Sequence, residues 1–242
     1  NVLGVLNYSK AESLRFYFSF VKSNHSNLEG DIVESGVYQG NSLLGMALML
    51  KELGSSKKVY GYDSFSGFPP VYDDNDKFER FDDLLEDGKI TKEHYRDVKK
   101  NLGWRTELSC SSVNPGSISG SGDFSLTSRD LVEKKIEILG LDNVILVDGP
   151  FDQTMVDGAG PQKIMCALMD CDLYQSYVTT FDFVWPRLVK GGLVYLDEYY
   201  SLKFPGARIA TDDFVKSHDG AELERFQSDV DEFERWGLWN LY

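Results

Sequence analysis

Four carboxylates at the ends of two apolar runs are the residues best placed to do chemistry. Lys163-Ile-Met-Cys-Ala-Leu-Met-Asp170 has almost no polar break and closes on Asp170, with Asp172 two residues on. Gly191-Gly-Leu-Val-Tyr-Leu-Asp197 closes on Asp197 and Glu198. Runs of this kind read as buried parallel strands. In an open parallel sheet, ligands bind outside the carboxyl ends of the strands. If the two strands are neighbours, the carboxylates converge on one edge. Like charges in a partly buried site raise one another's pKa. A hard cation relieves that, and Mg²⁺ takes one or two carboxylates while keeping waters for exchange. The plainer alternative is a set of solvated strand ends.

A second constellation is Glu34-Ser-Gly36-Val-Tyr-Gln-Gly40-Asn-Ser42. Gly36 allows a sharp turn at a strand end, and Gly40 allows close approach to the backbone where a helix begins. That helix start offers unpaired N–H groups and a partial positive charge to an anion. A nicotinamide fingerprint needs G-x-G-x-x-G, whereas this is E-x-G-x-x-x-G with Tyr38 where a glycine would stand. The spacing resembles motif I of class I methyltransferases, whose anion is the carboxylate of S-adenosylmethionine. Glu34, Gly36, Gly40, Asn41 and Ser42 are therefore expected at a cofactor site. Asp63, at the end of the next apolar run, can accept hydrogen bonds from both hydroxyls of a ribose, with Ser64 beside it; a turn-capping Asp is the alternative.

These groups need elements to carry them. Residues 11–22 lean to helix. Asp31–Gly36 reads as a strand, Asn41–Leu53 as a helix ended by Gly54, and Lys58–Asp63 as a second strand. Residues 64–130 break the pattern with Pro69-Pro70, the acidic run Asp73, Asp74 and Asp76, a charged helical piece near 89–102, and a Ser/Gly-rich stretch from Ser109 to Gly122 that reads as a mobile loop. This insertion is either a lid over the substrate or a disordered decoration. Leu126–Leu139 then reads as helix, Asn143–Asp148 as strand, Tyr174–Leu188 as helix with Pro186 near its end, and Trp236–Tyr242 as a closing strand. A further helix is expected to start at Thr211, with Thr211 or Asp212 as its cap. Alternating strands and helices predict an α/β domain with a mostly parallel sheet.

Composition narrows the function. The chain has 242 residues, Lys+Arg 25 and Asp+Glu 39, a net charge of −14. That surface repels phosphate backbones, which argues against nucleic-acid binding. The hydrophobic share of 42% is ordinary for a soluble protein. No apolar run is long enough to span a membrane. No signal peptide is visible, although the chain starts at Asn1 and a trimmed leader stays open. Three cysteines, Cys110, Cys166 and Cys171, show no CxxC pair and predict reduced thiols in a cytoplasmic protein.

Several longer segments carry a resemblance. Asp63-Ser-Phe-Ser-Gly-Phe-Pro69, Leu168-Met-Asp-Cys-Asp-Leu-Tyr-Gln-Ser176, Pro186-Arg-Leu-Val-Lys-Gly-Gly192 and Pro205-Gly-Ala-Arg-Ile-Ala-Thr-Asp-Asp-Phe214 resemble the macrocin O-methyltransferase family. The resemblance implies a Rossmann-like class I methyltransferase fold with a seven-stranded, mostly parallel sheet and helices on both faces. It implies one domain over 1–242, with an N-terminal helical extension (about 1–28) and the lid/loop insertion (about 64–130). It implies Mg²⁺-dependent methyl transfer from S-adenosylmethionine to a sugar hydroxyl, as in natural product biosynthesis. Matched onto the family's D-x-D-x-Y and Asp-Asp-Tyr motifs, Asp170, Asp197 and Glu198 become the metal ligands and Asp172 the general base; Glu198 departs from the family's Asp. Gly149 and Phe151 fall in the family's adenine segment, with Gln153 in place of an Asp. A homodimer or larger assembly is expected, with Phe16, Phe18 and Phe20 as interface candidates. A catechol-type or other small-molecule O-methyltransferase, and a non-catalytic member that binds the cofactor without turnover, remain the alternatives.

Overall fold

The computed structural model describes residues 2–109, 112–226 and 233–242; Cys110 lies outside them. Among these residues there are seven strands: β1 Asp31–Ser35, β2 Val59–Asp63, β3 Val144–Asp148, β4 Ile164–Met169, β5 Leu188–Leu196, β6 Ala221–Phe226 and β7 Arg235–Asn240. They form one sheet in the order β3-β2-β1-β4-β5-β7-β6. The first five run parallel, and β7 lies antiparallel between β5 and β6. The helices are α1 Arg15–Asn24, α2 Asn41–Glu52, α3 Arg80–Glu86, α4 Lys92–Ser109, α5 Pro115–Ile118, α6 Arg129–Leu139, α7 Phe151–Thr154, α8 Tyr174–Val184 and α9 Pro205–Ser217.

Every residue of β4 is buried, as a strand covered on both faces must be. Its side chains alternate between two cores. Cys166 and Leu168 pack with α1, α2 and α6 on one face, while Ala167 and Met169 pack with α8 and α9 on the other. The strand order reverses between β1 and β4, so a crevice opens at their carboxyl ends.

Several sequence expectations shift. The last helix starts at Pro205, not near Thr211: proline suits the first helical position, and Thr211 lies inside, its hydroxyl donating to the Ala207 carbonyl at 2.8 Å. Helix α8 stops at Val184 and passes through a 3-10 turn around Pro186, because proline supplies no N–H to continue the ladder. Helix α6 starts at Arg129 because Ser128 caps it, accepting the Leu131 N–H at 3.2 Å. The stretch read as a mobile loop holds the end of α4 and the helix α5, closed by a capping box between Asn114 and Ser117. Phe16 and Phe20 are half-buried. Phe16 stacks on Phe226 at 4.7 Å, Phe20 meets Trp239 edge-on at 5.4 Å, and Phe18 is buried in the core.

Candidate active site

The β1–α2 turn depends on its glycines. Gly36 has φ +89°, and a Cβ there would sit 2.0 Å from the Asp170 carbonyl oxygen. That close approach joins the end of β1 to the end of β4. Gly40 caps α2 at φ +81°. Between them Tyr38 takes φ +48° without being glycine, and two contacts hold it there: Thr127 Oγ1 donates to its carbonyl, and the Phe124 ring packs edge-on at 5.4 Å.

Asp63 organises the same turn. Its Oδ2 accepts the N–H groups of Val37 and Tyr38 at 2.7 and 2.8 Å, and its Oδ1 accepts the Phe65 N–H at 2.7 Å. A carboxylate has about four acceptor positions, so these three backbone donors occupy most of them. Gly149 donates its N–H to the Asp63 carbonyl at 3.0 Å, which ties the end of β3 to the same place.

A cavity of about 720 Å³ opens here at the carboxyl ends of β1 to β4. Gly36, Asn41, Ser42, Asp63, Ser64, Phe151, Asp170 and Asp172 all line it. Its remaining wall includes Phe68, Pro69, Pro70 and Phe124 from the insertion, and Gln175, Ser176 and Thr179 from α8. Glu34, Gly40, Gly149, Asp197 and Glu198 lie behind this surface. Glu34 is fully buried and accepts the Ser42 hydroxyl at 2.7 Å. Burial pushes its carboxyl up to about 8, against the opposing bonds from Ser42 and the Leu43 backbone. Its Oε2 has no hydrogen-bond partner in the structure.

The strand-end carboxylates do converge. β4 and β5 are neighbours in register, Met169 beside Leu196. The Asp197 N–H donates to the Met169 carbonyl at 3.1 Å, and the Asp170 N–H to the Ser35 carbonyl at 3.0 Å. Tyr177 bridges the two loops: its hydroxyl donates to the Met169 carbonyl at 3.0 Å and accepts the Glu198 N–H at 3.2 Å. Asp170 lies close enough to Asp197, and Asp172 to Glu198, for each carboxyl to repel the other's charge. Burial raises Asp170 well above the carboxylate range, and Asp197, Asp172 and Glu198 add to that. Burial raises Asp172 likewise, with Glu198 next and Lys203 opposing. Asp197 is pushed up to about 6 by burial and by Glu198. Among the described residues, no three His, Cys, Asp or Glu side chains are arranged around a common point that could hold a metal ion.

Sequence reasoning missed Lys203, whose Nζ lies 3.6 Å from Glu198 Oε1. A lone lysine in a loop carries no signal of its own. Cys171 packs against Ser35 and Thr180, and burial pushes its thiol up, as befits a packed residue and not a nucleophile. Arg208 stacks on Tyr199 at 4.3 Å with Nε 4.0 Å from Asp212, outside the cavity lining.

A profile of the macrocin O-methyltransferase family (TylF) matches residues 15–105 and 122–237. The chain belongs to this family. Among curated relatives, an 8-demethyl-8-(2,3-dimethoxy-α-L-rhamnosyl)-tetracenomycin-C 4′-O-methyltransferase of Streptomyces olivaceus is 27% identical over 173 residues, 70% of this chain and 53% of that protein. A mycinamicin III 3″-O-methyltransferase of Micromonospora griseorubida is 25% identical over 213 residues, 87% of this chain and 67% of that protein. The chain thus spans about half the length of the first and two thirds of the second. Among solved structures, the O-methyltransferase NovP superposes with a TM-score of 0.66 at 22% identity, covering 95% of this chain and 79% of that one. The macrocin O-methyltransferase fold, a seven-stranded class I methyltransferase sheet, is therefore the fold of this chain. No described helix is long and apolar enough to cross a membrane.

Proposed function

We propose that the protein transfers a methyl group from S-adenosylmethionine to a hydroxyl oxygen, on a sugar of a natural product or glycan. One observation carries this reading: the glycine turn after β1, Asp63 after β2 and Asp172 after β4 line a single cavity. The backbone N–H groups at the start of α2 receive the cofactor carboxylate, with Asn41 and Ser42 beside it. Glu34 lies beneath this turn, and its bond from Ser42 holds that side chain at the cofactor site. Asp63 keeps one acceptor position for the ribose, with Ser64 next to it, and Gly149–Phe151 borders the adenine. The inserted segment, 64–130, closes the acceptor side with Phe68 and Phe124.

Asp172 takes the proton of the attacking hydroxyl. General-base catalysis needs a proton acceptor of adequate basicity, and burial, with Glu198 beside it, raises the Asp172 carboxyl above the ordinary carboxylate range. Asp170, Asp197 and Glu198 would hold a divalent cation, Mg²⁺ being the natural choice for an all-oxygen set. The donor chemistry fits, because mutually repelling carboxylates gather at one strand edge. Binding would have to turn these carboxyls from one another toward a shared point. When bound, such a cation lowers the pKa of a coordinated hydroxyl. The cavity then supplies position, setting the oxygen in line with the methyl carbon and the departing sulfur.

Glu198 in place of the family's Asp, and Gln153 likewise, favour one second reading, a member that binds the cofactor without turnover. Transfer of labelled methyl to deoxysugar glycosides, nucleotide sugars and catechols, with Mg²⁺ and with chelator, tests both. Label on a sugar hydroxyl that chelator abolishes is the expected result. Cofactor binding with no transfer to any acceptor would favour the second reading. Transfer only to the catechols would replace the sugar by a catechol.

A further inference from the structure

Asp76 belongs to the inserted segment, in a 3-10 turn (Asp74–Asp76) that Asp73 caps by accepting the Asn75 N–H at 2.8 Å. Asp74 is exposed and paired with Lys77, whereas Asp76 is only 2% exposed. Its Oδ1 accepts the N–H of Tyr174, the first residue of α8, at 2.8 Å. A Cβ on Gly206, in the first turn of α9, would lie 2.1 Å from the same oxygen. The carboxylate therefore occupies the corner between two helix starts, where N–H groups lack partners within the helix and negative charge is favoured. Burial pushes its carboxyl up to about 6 in spite of the Tyr174 bond.

What this corner controls is the turn after β4. Tyr174 lies two residues past Asp172, which is held at φ +59°. Aspartate tolerates that left-handed region better than most residues, but the conformation still has to be held by its surroundings. Cys171 accepts the Leu173 N–H at 2.6 Å. Leu173 packs with Phe204 and Ile118, and Phe68, Tyr72 and Phe124 of the insertion cover them. The insertion grips the neighbouring loop as well. His94 on α4 bonds through Nε2 to the Ser201 carbonyl at 2.7 Å, and Asn101 donates to that of Leu202 at 3.3 Å.

We propose that Asp76 is a positioning residue for Asp172: its bond to Tyr174 holds the 170–174 turn in the conformation that presents Asp172 to the cavity. Seating of the inserted segment and assembly of the site are then one event. The inference rests on the reading of Asp172 as the proton acceptor. A mere helix cap would stabilise α8 and leave the rate alone.

Asp76→Ala removes the acceptor, and Asp76→Asn keeps an acceptor oxygen at the same reach without the charge. The readouts are thermal unfolding, affinity for S-adenosylhomocysteine, kcat and acceptor KM on the panel above, and deuterium exchange of the Tyr174 amide. For Asp76→Ala we expect kcat to fall about 100-fold and Tyr174 exchange to rise by a similar factor, as for a lost bond to a charged acceptor. KM and cofactor affinity should stay within about 3-fold, and Asp76→Asn should recover kcat to within about 10-fold of wild type. A folded Asp76→Ala with wild-type kcat, unchanged Tyr174 exchange, or cofactor affinity falling as far as kcat would each overturn the inference. If Asp76→Ala does not fold, Asp76→Asn decides: a lower kcat at unchanged cofactor affinity supports it, and wild-type kcat overturns it. If wild-type protein methylates nothing, the reading of Asp172 fails, and Tyr174 exchange alone decides whether Asp76 holds the turn.

Discussion

Replacing Asp63 separates two ways in which a carboxylate can serve a cofactor. It can touch the ligand, or it can shape the loop that does. The structure weights the second, since Asp63 accepts three backbone N–H groups at 2.7, 2.8 and 2.7 Å. Hydrogen bonds to a charged group contribute about 1.5–3 kcal/mol each. Three of them set an upper bound near 5–9 kcal/mol, but the freed N–H groups border a cavity and water can reach them, so about 2–4 kcal/mol is expected for Asp63→Ala. Asp63→Asn has one oxygen and one amide group. Facing the oxygen to Val37 and Tyr38 keeps two bonds and sets an NH₂ against the Phe65 N–H, a loss of about 1.5–3 kcal/mol. At 1.4 kcal/mol per decade, affinity should weaken by roughly 10-fold or more in both variants. Calorimetry with S-adenosylhomocysteine and thermal unfolding together check this, and the two should fall together. Affinity lost at unchanged Tm would show that Asp63 acts through the ligand alone. Wild-type behaviour of Asp63→Asn in both assays would refute the whole argument.

Three further outcomes follow from the same geometry. Glu34 is raised to about 8 by burial, so folding opposes its ionisation: this penalty is absent at pH below about 4.5 and grows as pH rises toward the folded pKa. Glu34→Gln keeps an acceptor for Ser42 and should stabilise the fold at pH 8, by on the order of 3–5 kcal/mol at most, a gain that shrinks toward zero as pH falls to about 4.5; a Tm gain equal at pH 8 and pH 4.5 would contradict it. Asp172→Asn should lower the rate by about 10²–10⁴ with cofactor and Mg²⁺ affinities nearly unchanged, whereas Asp170→Asn should weaken Mg²⁺ binding and respond to excess Mg²⁺; the opposite pattern in titrations with Mg²⁺ would reverse the two roles. The cavity lining carries Asp63, Asp152, Asp170 and Asp172 and no Lys, Arg or His among the described residues. An uncharged glycoside should therefore be methylated at least about 5-fold more efficiently than the same sugar on a nucleoside diphosphate, since like charge at close quarters costs about a kcal/mol or more; equal kcat/KM for the pair would remove charge as a selector.

The sequence was sufficient wherever the signal is local. A parallel strand covered on both faces must be apolar throughout, so β4 and the core of β5 are visible as runs. Their direction then sends Asp170 and Asp197 to the same edge. Gly36 is legible because a turn that tight, against the carbonyl of Asp170, admits no side chain, and Gly40 because the chain enters α2 at φ +81°. β6 was not legible: Ala221–Phe226 alternates between half-buried and exposed residues at a sheet edge, and its one buried side chain gives no period. Nor was the start of α9, where Pro205 opens a helix that the sequence alone lets begin at Thr211. The approach of Glu198 to Asp172 and of Lys203 to Glu198, the backbone duties of Asp63 and the reach of Asp76 to Tyr174 were decided by tertiary structure alone. Each depends on which partner, up to 98 residues away in the chain, fills a particular acceptor. A carboxylate at a strand end can satisfy its oxygens with water, a cation, a neighbour or a backbone N–H, and only the packing of the elements around it determines which of these is within 3 Å.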